Sequence, residues 1–290
     1  MKAKVSRIGF TLAEVLIVAG IVTLLLGLVA MGVQQAREAS RRLSCQNNLH
    51  QIGIAVTNFV SYNKRFPSLF GSRGAKGVEA FEQTPFRTLL RELEIQIDDS
   101  KEVVPELDLP PSVLQCASGN KFLGYRFSFG SGVRTRDNLD GVMQVLKGLS
   151  PAEITDGLSN TCVASERMSG TSSQKPLAVA VLPNYPDDEA FIRDCEQVVS
   201  PINFVRELGF RWKGFLPVDI GYSHAASPNL DRWDCQGGFN HQRISARSYH
   251  SSGVYSLRAD ASVLWSSSNV DQTVWKALGT AAGHETVSND

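Results

Sequence analysis

One carboxylate stands alone in a long apolar stretch near the start of this 290-residue chain. Residues 10–33 contain Glu14 as their single charged residue and no proline. A carboxylate inside a hydrocarbon layer costs roughly 2.5–3.5 kcal/mol on insertion scales, so Glu14 needs a partner or a route to water. Cleavage after Gly9 would create an α-amine at Phe10 that could neutralise Glu14, within one helix or on a neighbouring chain. The plainer alternative is that Glu14 reaches water at the cytoplasmic interface.

The rest of the chain offers no grouping of residues typical of catalysis. Its five histidines are dispersed, and neither a nucleophile elbow nor a phosphate-binding loop occurs. We therefore predict a protein that is not an enzyme, with His250 as a hydrogen-bonded structural residue. Asp137 and Asp140 precede a turn glycine and offer oxygen ligands for Ca²⁺, but the EF-hand spacing is absent. A plain Asx-type turn is the favoured interpretation, and no other cofactor is predicted.

The five cysteines form no CxxC pair, and no histidine stands at zinc spacing from them. The sequence therefore predicts no metal cluster. In an exported protein, two disulfides and one free thiol would be expected. Cys45 lies on an apolar helix face and Cys116 follows a proline-rich loop, which favours a Cys45–Cys116 bond. Cys195 and Cys235 would then form the second bond and Cys162 would stay free; separate burial is the alternative for each pair.

The charge pattern and the apolar stretch indicate a membrane protein. Lys and Arg together number 29, as do Asp and Glu, and this zero net charge suggests no nucleic-acid partner. Residues 1–9 are basic, and residues 10–33 would form a helix of about 36 Å, enough to cross a hydrocarbon core of about 30 Å. A cleaved secretory signal is the alternative, but its apolar part spans only about 7–15 residues.

The basic leader, Gly9, the segment 10–15 and the apolar stretch together resemble the cleavage-and-methylation signature of type IV prepilins and type II secretion pseudopilins. The resemblance implies that a prepilin peptidase cuts after Gly9 and N-methylates Phe10, and that Glu14 serves assembly. It also implies a single-pass inner-membrane protein with a cytoplasmic N-terminus and a head in the periplasm or outside. One departure is the absence of a proline midway along the membrane helix; the first proline is Pro67.

Further blocks resemble a large bacterial group of prepilin-like proteins whose C-terminal domain has no assigned function. The first block runs from Cys45 to Leu49, continues with residues 51–53 and is followed by Phe66 and Pro67. The second holds Asp156 and Gly157 and ends near Glu166. The third is His250, nine intervening residues and Asp260. The group usually has glycine after that aspartate, whereas this chain has alanine at position 261, which would be strained in a tight turn.

These patterns predict an α+β, pilin-like fold in which one long N-terminal helix packs on a mainly antiparallel β head. The predicted division is a basic leader at 1–9, a transmembrane helix at 10–33, an amphipathic extracytoplasmic helix at 34–63 and an α+β head at 64–290. Apolar residues at spacings of four, three, four and three define the head-facing side of the helix. They are Cys45, Leu49, Ile52, Val56 and Phe59.

Two functions follow as expectations. The first is a pseudopilin-like structural subunit that assembles with like subunits into a type II secretion or type IV pilus-like structure. The alternative is a membrane-tethered protein that uses the helix only as an anchor while its head binds an envelope protein or a glycan. An anchored hydrolase is a third class, and the absence of a catalytic grouping argues against it.

Overall fold

The structure is a computed structural model that describes residues 11–69, 84–93, 95, 109–135, 137, 139–171, 177–205, 207–208 and 217–284. The chain divides into two compact units, residues 1–43 and residues 44–290. The predicted leader at 1–9 and the cleavage-site residues Gly9 and Phe10 lie outside the described residues. The long helix α1, Leu12–Asn63, contributes residues to both units.

In the first unit, α1 exposes a continuous apolar surface. The large hydrophobic side chains from Leu12 to Val33 are all exposed. In the described part of the chain, α1 is the one helix long and apolar enough to cross a membrane. After this stretch the helix surface turns polar, and Glu38 pairs with Arg41 at 2.7 Å and with Arg42 at 3.4 Å. The first half of α1 is thus a candidate single-pass membrane anchor.

In the second unit, α1 buries the predicted apolar stripe. Cys45, Leu49, Ile52 and Val56 are at most 2% exposed, and Phe59 packs partly buried against the same core. Their spacing places them on one face of the helix, so α1 forms one wall of the main hydrophobic core. The α+β class with a long N-terminal helix is therefore confirmed.

Four shorter helices complete the helical part of the described chain. Three of them begin at a side-chain cap, from Thr84, Asp187 or Asp271, which satisfies free N–H groups of the first turn. The helices are α2, Pro85–Glu92; α3, Asp188–Glu196; α4, Pro217–Ile220; and α5, Gln272–Ala277. Short 3₁₀ turns span Ser112–Leu114 and Pro151–Glu153.

The main sheet of the described chain has the strand order β11-β10-β2-β1-β7. Neighbouring strands in it are antiparallel, except that β1 and β7 are parallel. The strands are β1, Tyr125–Ser128; β2, Cys162–Glu166; β7, Gly221–Tyr222; β10, Gly253–Arg258; and β11, Val263–Ser267. Because β2 lies at the centre, all of its residues are buried.

A second sheet, in the order β5-β4-β8-β9, packs with α3 around its own apolar core. Its β4 and β8 are parallel, and its other pairs are antiparallel. Its strands are β4, Val179–Leu182; β5, Phe204–Val205; β8, Asp234–Gly237; and β9, His241–Arg243. A separate two-stranded pair joins β3, Gly170–Thr171, to β6, Glu207–Leu208.

Two local expectations from the sequence have different outcomes in the structure. Apolar residues at helical spacing from Phe86 to Ile97 favour a helix over this range, but α2 stops at Glu92 with Leu93 as its C-cap, and residues 96–97 lie outside the described residues. The sequence pattern of residues 254–258 and 262–265 predicts a hairpin; β10 and β11 form it, and Ala261 adopts a φ of +67° in its turn. An alanine in this left-handed conformation is strained, so the turn retains the geometry that a glycine would adopt without strain.

Gly53 marks a close approach between α1 and this hairpin. A Cβ atom at Gly53 would lie 2.7 Å from Leu257 Cδ1 and 3.0 Å from Ala261 Cα. The second distance involves backbone, which cannot move aside as a side chain can. The absence of a side chain at this position therefore allows the helix to pack on the sheet.

We predict that Gly53→Ala destabilises the head, although alanine normally favours a helix by roughly 0.5–1 kcal/mol over glycine. Overpacking should lower the free energy of unfolding by about 1–3 kcal/mol, measured by urea unfolding of the full chain in detergent. Ile54→Ala is the matched control, since Ile54 is 47% exposed and its truncation should change stability by less than about 0.5 kcal/mol. A Gly53→Ala variant more stable than wild type would contradict the close approach.

His224 is a buried histidine held in its neutral form. Its Nδ1 donates to the Trp275 carbonyl oxygen at 2.7 Å, and its Nε2 accepts from the Tyr222 hydroxyl at 2.9 Å, an arrangement that satisfies both ring nitrogens without a charge. Burial lowers the pKa of His224 from 6.5 to about 3. Between these values the unfolded chain binds a proton at this residue and the native chain does not.

We therefore expect the stabilising contribution of neutral His224 to be complete above pH 6.5 and to decline as the pH falls towards 3. His224→Gln keeps a donor and an acceptor but cannot titrate. In urea unfolding at about pH 7 and about pH 5, wild type should lose more stability between the two conditions than His224→Gln. Equal losses in the two proteins would show that this histidine does not contribute to acid sensitivity.

Candidate functional site

Four residues with metal-ligating or redox chemistry come together beside α1. The ligand atoms of Cys45, Cys116, Glu166 and His250 all lie within 4.8 Å of one another, and all four residues are buried. Cys45 lies on α1, Cys116 follows the 3₁₀ turn, Glu166 ends β2 and His250 precedes β10. Four separate segments therefore meet at one point at the edge of the main core.

The two cysteines of this cluster are joined in the structure. Cys45 and Cys116 form a disulfide with Cα atoms 5.1 Å apart, and Cys195 and Cys235 form another with Cα atoms 5.9 Å apart. These are the two pairs that the sequence favoured. Cys162 is a free buried cysteine in β2, and burial raises the pKa of its thiol to about 12. The Cys162 thiol therefore stays protonated at neutral pH.

The carboxylate of Glu166 faces both the disulfide and the imidazole. Its Oε1 lies 3.5 Å from His250 Nε2 and 3.7 Å from Cys116 Sγ, and Nε2 lies 3.9 Å from the same sulfur. A disulfide sulfur carries no proton, so its approach to the carboxylate is a contact and not a donated hydrogen bond. Glu166 Oε1, His250 Nε2 and Cys116 Sγ therefore form a compact group of electron-pair donors that face one another.

A surrounding set of hydrogen bonds fixes the orientation of each donor. Glu166 Oε2 accepts from the Tyr255 amide at 2.8 Å, and Cys45 Sγ accepts from the Ala117 amide at 3.1 Å. His250 Nδ1 lies 3.4 Å from Ser118 Oγ. With Nδ1–H donated to that hydroxyl, the free electron pair of the imidazole lies on Nε2.

Two surface grooves lead towards the cluster. One, of about 530 Å³, is lined by Cys116 together with Asn48, Gln115 and Ala117. The other, of about 310 Å³, is lined by His250 with Asn229, Arg247 and Ser248. The cluster itself is buried, but two solvent-accessible grooves reach its residues, one at Cys116 and the other at His250.

A buried ion network begins at Arg167, the residue that follows Glu166 in the chain. Asp234 pairs with Arg167 at 2.8 Å and with Arg247 at 3.0 Å, and it also accepts from the Ser245 amide at 3.0 Å. Burial opposes ionisation of Asp234, but the two guanidinium groups hold its pKa below the ordinary value. Because Arg167 follows β2 and Asp234 begins β8, the network connects the main sheet to the second sheet.

Glu14, the residue predicted to serve assembly, lies in the first turn of α1. Its carboxylate accepts from the Thr11 amide at 2.8 Å and from the Thr11 hydroxyl at 2.9 Å. The Thr11 hydroxyl in turn accepts from the Glu14 amide at 3.3 Å. This reciprocal pairing caps the start of the helix and leaves Glu14 exposed within the apolar surface.

The family-motif residues Asp156, Gly157 and Asp260 organise turns. Asp156 accepts from the Gly283 amide at 2.7 Å and from the His284 amide at 2.9 Å, which holds a C-terminal segment. Gly157 has a φ of +95°, and Asp260 accepts from the Ser262 amide at 2.9 Å in the β10–β11 turn. None of these three belongs to the buried group of candidate ligands found among the described residues.

The calcium candidates Asp137 and Asp140 are not brought into one chelating group among the described residues. Asp140 accepts from the amide and the hydroxyl of Ser131, so both of its carboxylate oxygens are used within the chain. Asp137 is exposed. Asp140 therefore braces the loop at Ser131 through contacts that span nine residues, unlike the local Asx turn expected from the sequence.

The cysteine–carboxylate–imidazole cluster was missed by the spacing rules. Those rules detect ligands that are close in sequence, whereas Cys116 lies 71 residues from Cys45, 50 from Glu166 and 134 from His250. A usable signal did exist, because each of three resembling blocks contributes one member: Cys45, Glu166 and His250. A cysteine, a carboxylate and a histidine in three separate blocks indicate one common site more strongly than any one of these residues alone.

The comparisons agree with these blocks. Residues 34–94 and 116–273 match the model of a family described as a protein of unknown function, DUF1559. No curated protein matches the chain, and no solved structure does. All four residues of the cluster lie within the matched segments. Because the match covers more than half of the chain, the protein belongs to this family of prepilin-like proteins with an N-terminal apolar helix.

Proposed function

We propose that the protein is a pseudopilin-like structural subunit, anchored in the inner membrane and processed after Gly9, that assembles into a type II secretion or type IV pilus-like structure. The observation that carries this proposal is Glu14, an exposed carboxylate on an otherwise apolar helix surface. The proposed partners are a prepilin peptidase, the membrane and like subunits, with no nucleic acid. No enzymatic activity is proposed.

The charge balance of a helix surrounded by lipid or by other helices supports this proposal. The apolar side chains between Leu12 and Val33 require either lipid or neighbouring helices around them. Glu14 cannot remain unpaired in either environment without a penalty of roughly 2.5–3.5 kcal/mol. A processed N-terminal amine at Phe10 of a neighbouring subunit would neutralise it, so burial of the charge is coupled to assembly.

A membrane-tethered binding protein is the second candidate, and a groove of about 470 Å³ in the head favours it. Arg243 lines this groove and is 4% exposed, and its Nε and Nη2 atoms have no hydrogen-bond partner within the part of the chain that the structure describes. Arg232 and Lys276 lie in the same lining. A carboxylate or another anionic group of an envelope protein or glycan would satisfy the free Arg243 donors.

Processing gives the first test of the assembly proposal. Intact-mass analysis of the native protein should show a chain that begins at Phe10 and carries one added methyl group. Gly9→Leu should retain the leader, because a bulky residue blocks a junction that requires a small one. A mature N-terminus after Gly32, as ordinary signal cleavage would produce, would rule the proposal out.

Assembly gives the second test. Glu14→Val should leave membrane insertion intact while reducing self-crosslinking through the helix by at least about tenfold, because the neighbour's amine loses its counter-charge. Glu38→Gln is the matched control: it removes a carboxylate from the polar part of the same helix and should crosslink like wild type. Equal crosslinking of wild type and Glu14→Val would support the tether function instead.

A further inference from the structure

We propose that the reduced chain binds one thiophilic divalent metal ion, with zinc as the best fit, through Cys45, Cys116, Glu166 and His250. The disulfide and the metal site are then two alternative states of the same four residues, and a phosphine reductant, which supplies two electrons while water supplies two protons, converts the disulfide into the two thiols that bind the ion. This inference does not depend on filament assembly, since every ligand belongs to the head unit. The sequence predicts no metal cluster at the cysteines, because none of the four ligands lies at zinc spacing from another.

The donor set suits zinc. Zinc is bound in proteins by cysteine sulfur, histidine nitrogen and carboxylate oxygen, most often with four ligands arranged as a tetrahedron. Two thiolates, one imidazole and one carboxylate supply four such ligands. Soft sulfur donors disfavour magnesium and calcium, which prefer all-oxygen sites.

The distances also fit. Bond lengths of about 2.0–2.3 Å around a tetrahedral zinc place neighbouring ligand atoms about 3.3–3.8 Å apart. The measured separations are 3.5 Å between Nε2 and Oε1, 3.7 Å between Cys116 Sγ and Oε1, and 3.9 Å between Cys116 Sγ and Nε2. Three ligand atoms are therefore already placed near tetrahedral spacing. Once the S–S bond is absent, separation of Cys45 Sγ from Cys116 Sγ opens the centre of the group.

The hydrogen bonds that surrounding groups make to the proposed ligands match those expected around a metal centre. Metal-binding histidines usually donate their second nitrogen to an oxygen, as His250 Nδ1 can do to Ser118 Oγ. The Ala117 amide already donates to Cys45 Sγ and would stabilise a thiolate there. The Tyr255 amide holds Glu166 Oε2, which leaves Oε1 directed at the other three ligands.

The metal would also change the charge of the buried site. In the reduced chain without metal, both thiols can remain neutral. Binding of M²⁺ by two thiols releases two protons, and the resulting dithiolate with ionised Glu166 and neutral His250 carries a net charge of −1. The groove lined by Cys116 provides an entry path for the ion.

The test uses the full chain in detergent, unfolded with a phosphine reductant and refolded without oxygen in the presence of zinc alone. After removal of free metal, elemental analysis should find about one zinc ion per chain. Refolding with cobalt should give the visible absorption bands of tetrahedral Co²⁺ and a near-ultraviolet thiolate-to-metal band. Cys45→Ala/Cys116→Ala should lose both signals, and Glu166→Gln or His250→Gln should weaken zinc binding at least about tenfold.

Cys195→Ala/Cys235→Ala is the matched control, because it removes the other disulfide pair and should keep full zinc binding. Circular dichroism checks that each variant is folded. Refolded wild type without bound zinc would overturn the proposal. Undiminished zinc binding by folded Cys45→Ala/Cys116→Ala would overturn it equally, since the metal would then lie elsewhere.

Discussion

The burial of one helical stripe against the main sheet is the constraint on which the head depends. Cys45, Leu49, Ile52 and Val56 supply the wall of the largest apolar core, and β2 lies buried at the centre of the sheet beneath. The link from Cys45 to Cys116 fixes the start of this wall to a segment 71 residues away. In the chain-entropy model, closing a loop of this size contributes roughly 4 kcal/mol.

The charges of the head follow from the same packing. Because β2 is central, Glu166 at its end and Arg167 just beyond it cannot reach bulk water, and each needs a buried partner. Glu166 finds the imidazole of His250 and the Tyr255 amide, and Arg167 finds Asp234 on the second sheet. The polar cluster at the disulfide and the connection between the two sheets are thus consequences of one strand's position.

The features predictable from sequence were those that depend on local periodicity. The apolar stripe of α1 and the β10–β11 hairpin could be inferred, because spacings of three and four or a short turn encode them directly. The parallel β1–β7 and β4–β8 pairs could not, since β7 has two residues and parallel partners are distant in the chain. The early end of α2 was missed for a related reason: apolar spacing shows which face is buried but not where the chain leaves the helix. The four-residue cluster required the complete fold.

A covalent link and a metal centre would restrain the head to different extents. The disulfide joins α1 to the segment after the 3₁₀ turn, and Glu166 and His250 face each other beside it at 3.5 Å. A bound ion would join the same two segments and would add β2 and the segment before β10 to the same centre. The second state would therefore tie four segments instead of two. Because Cys45 lies on α1, the disulfide holds this helix to one other segment, whereas a bound ion would hold it to three.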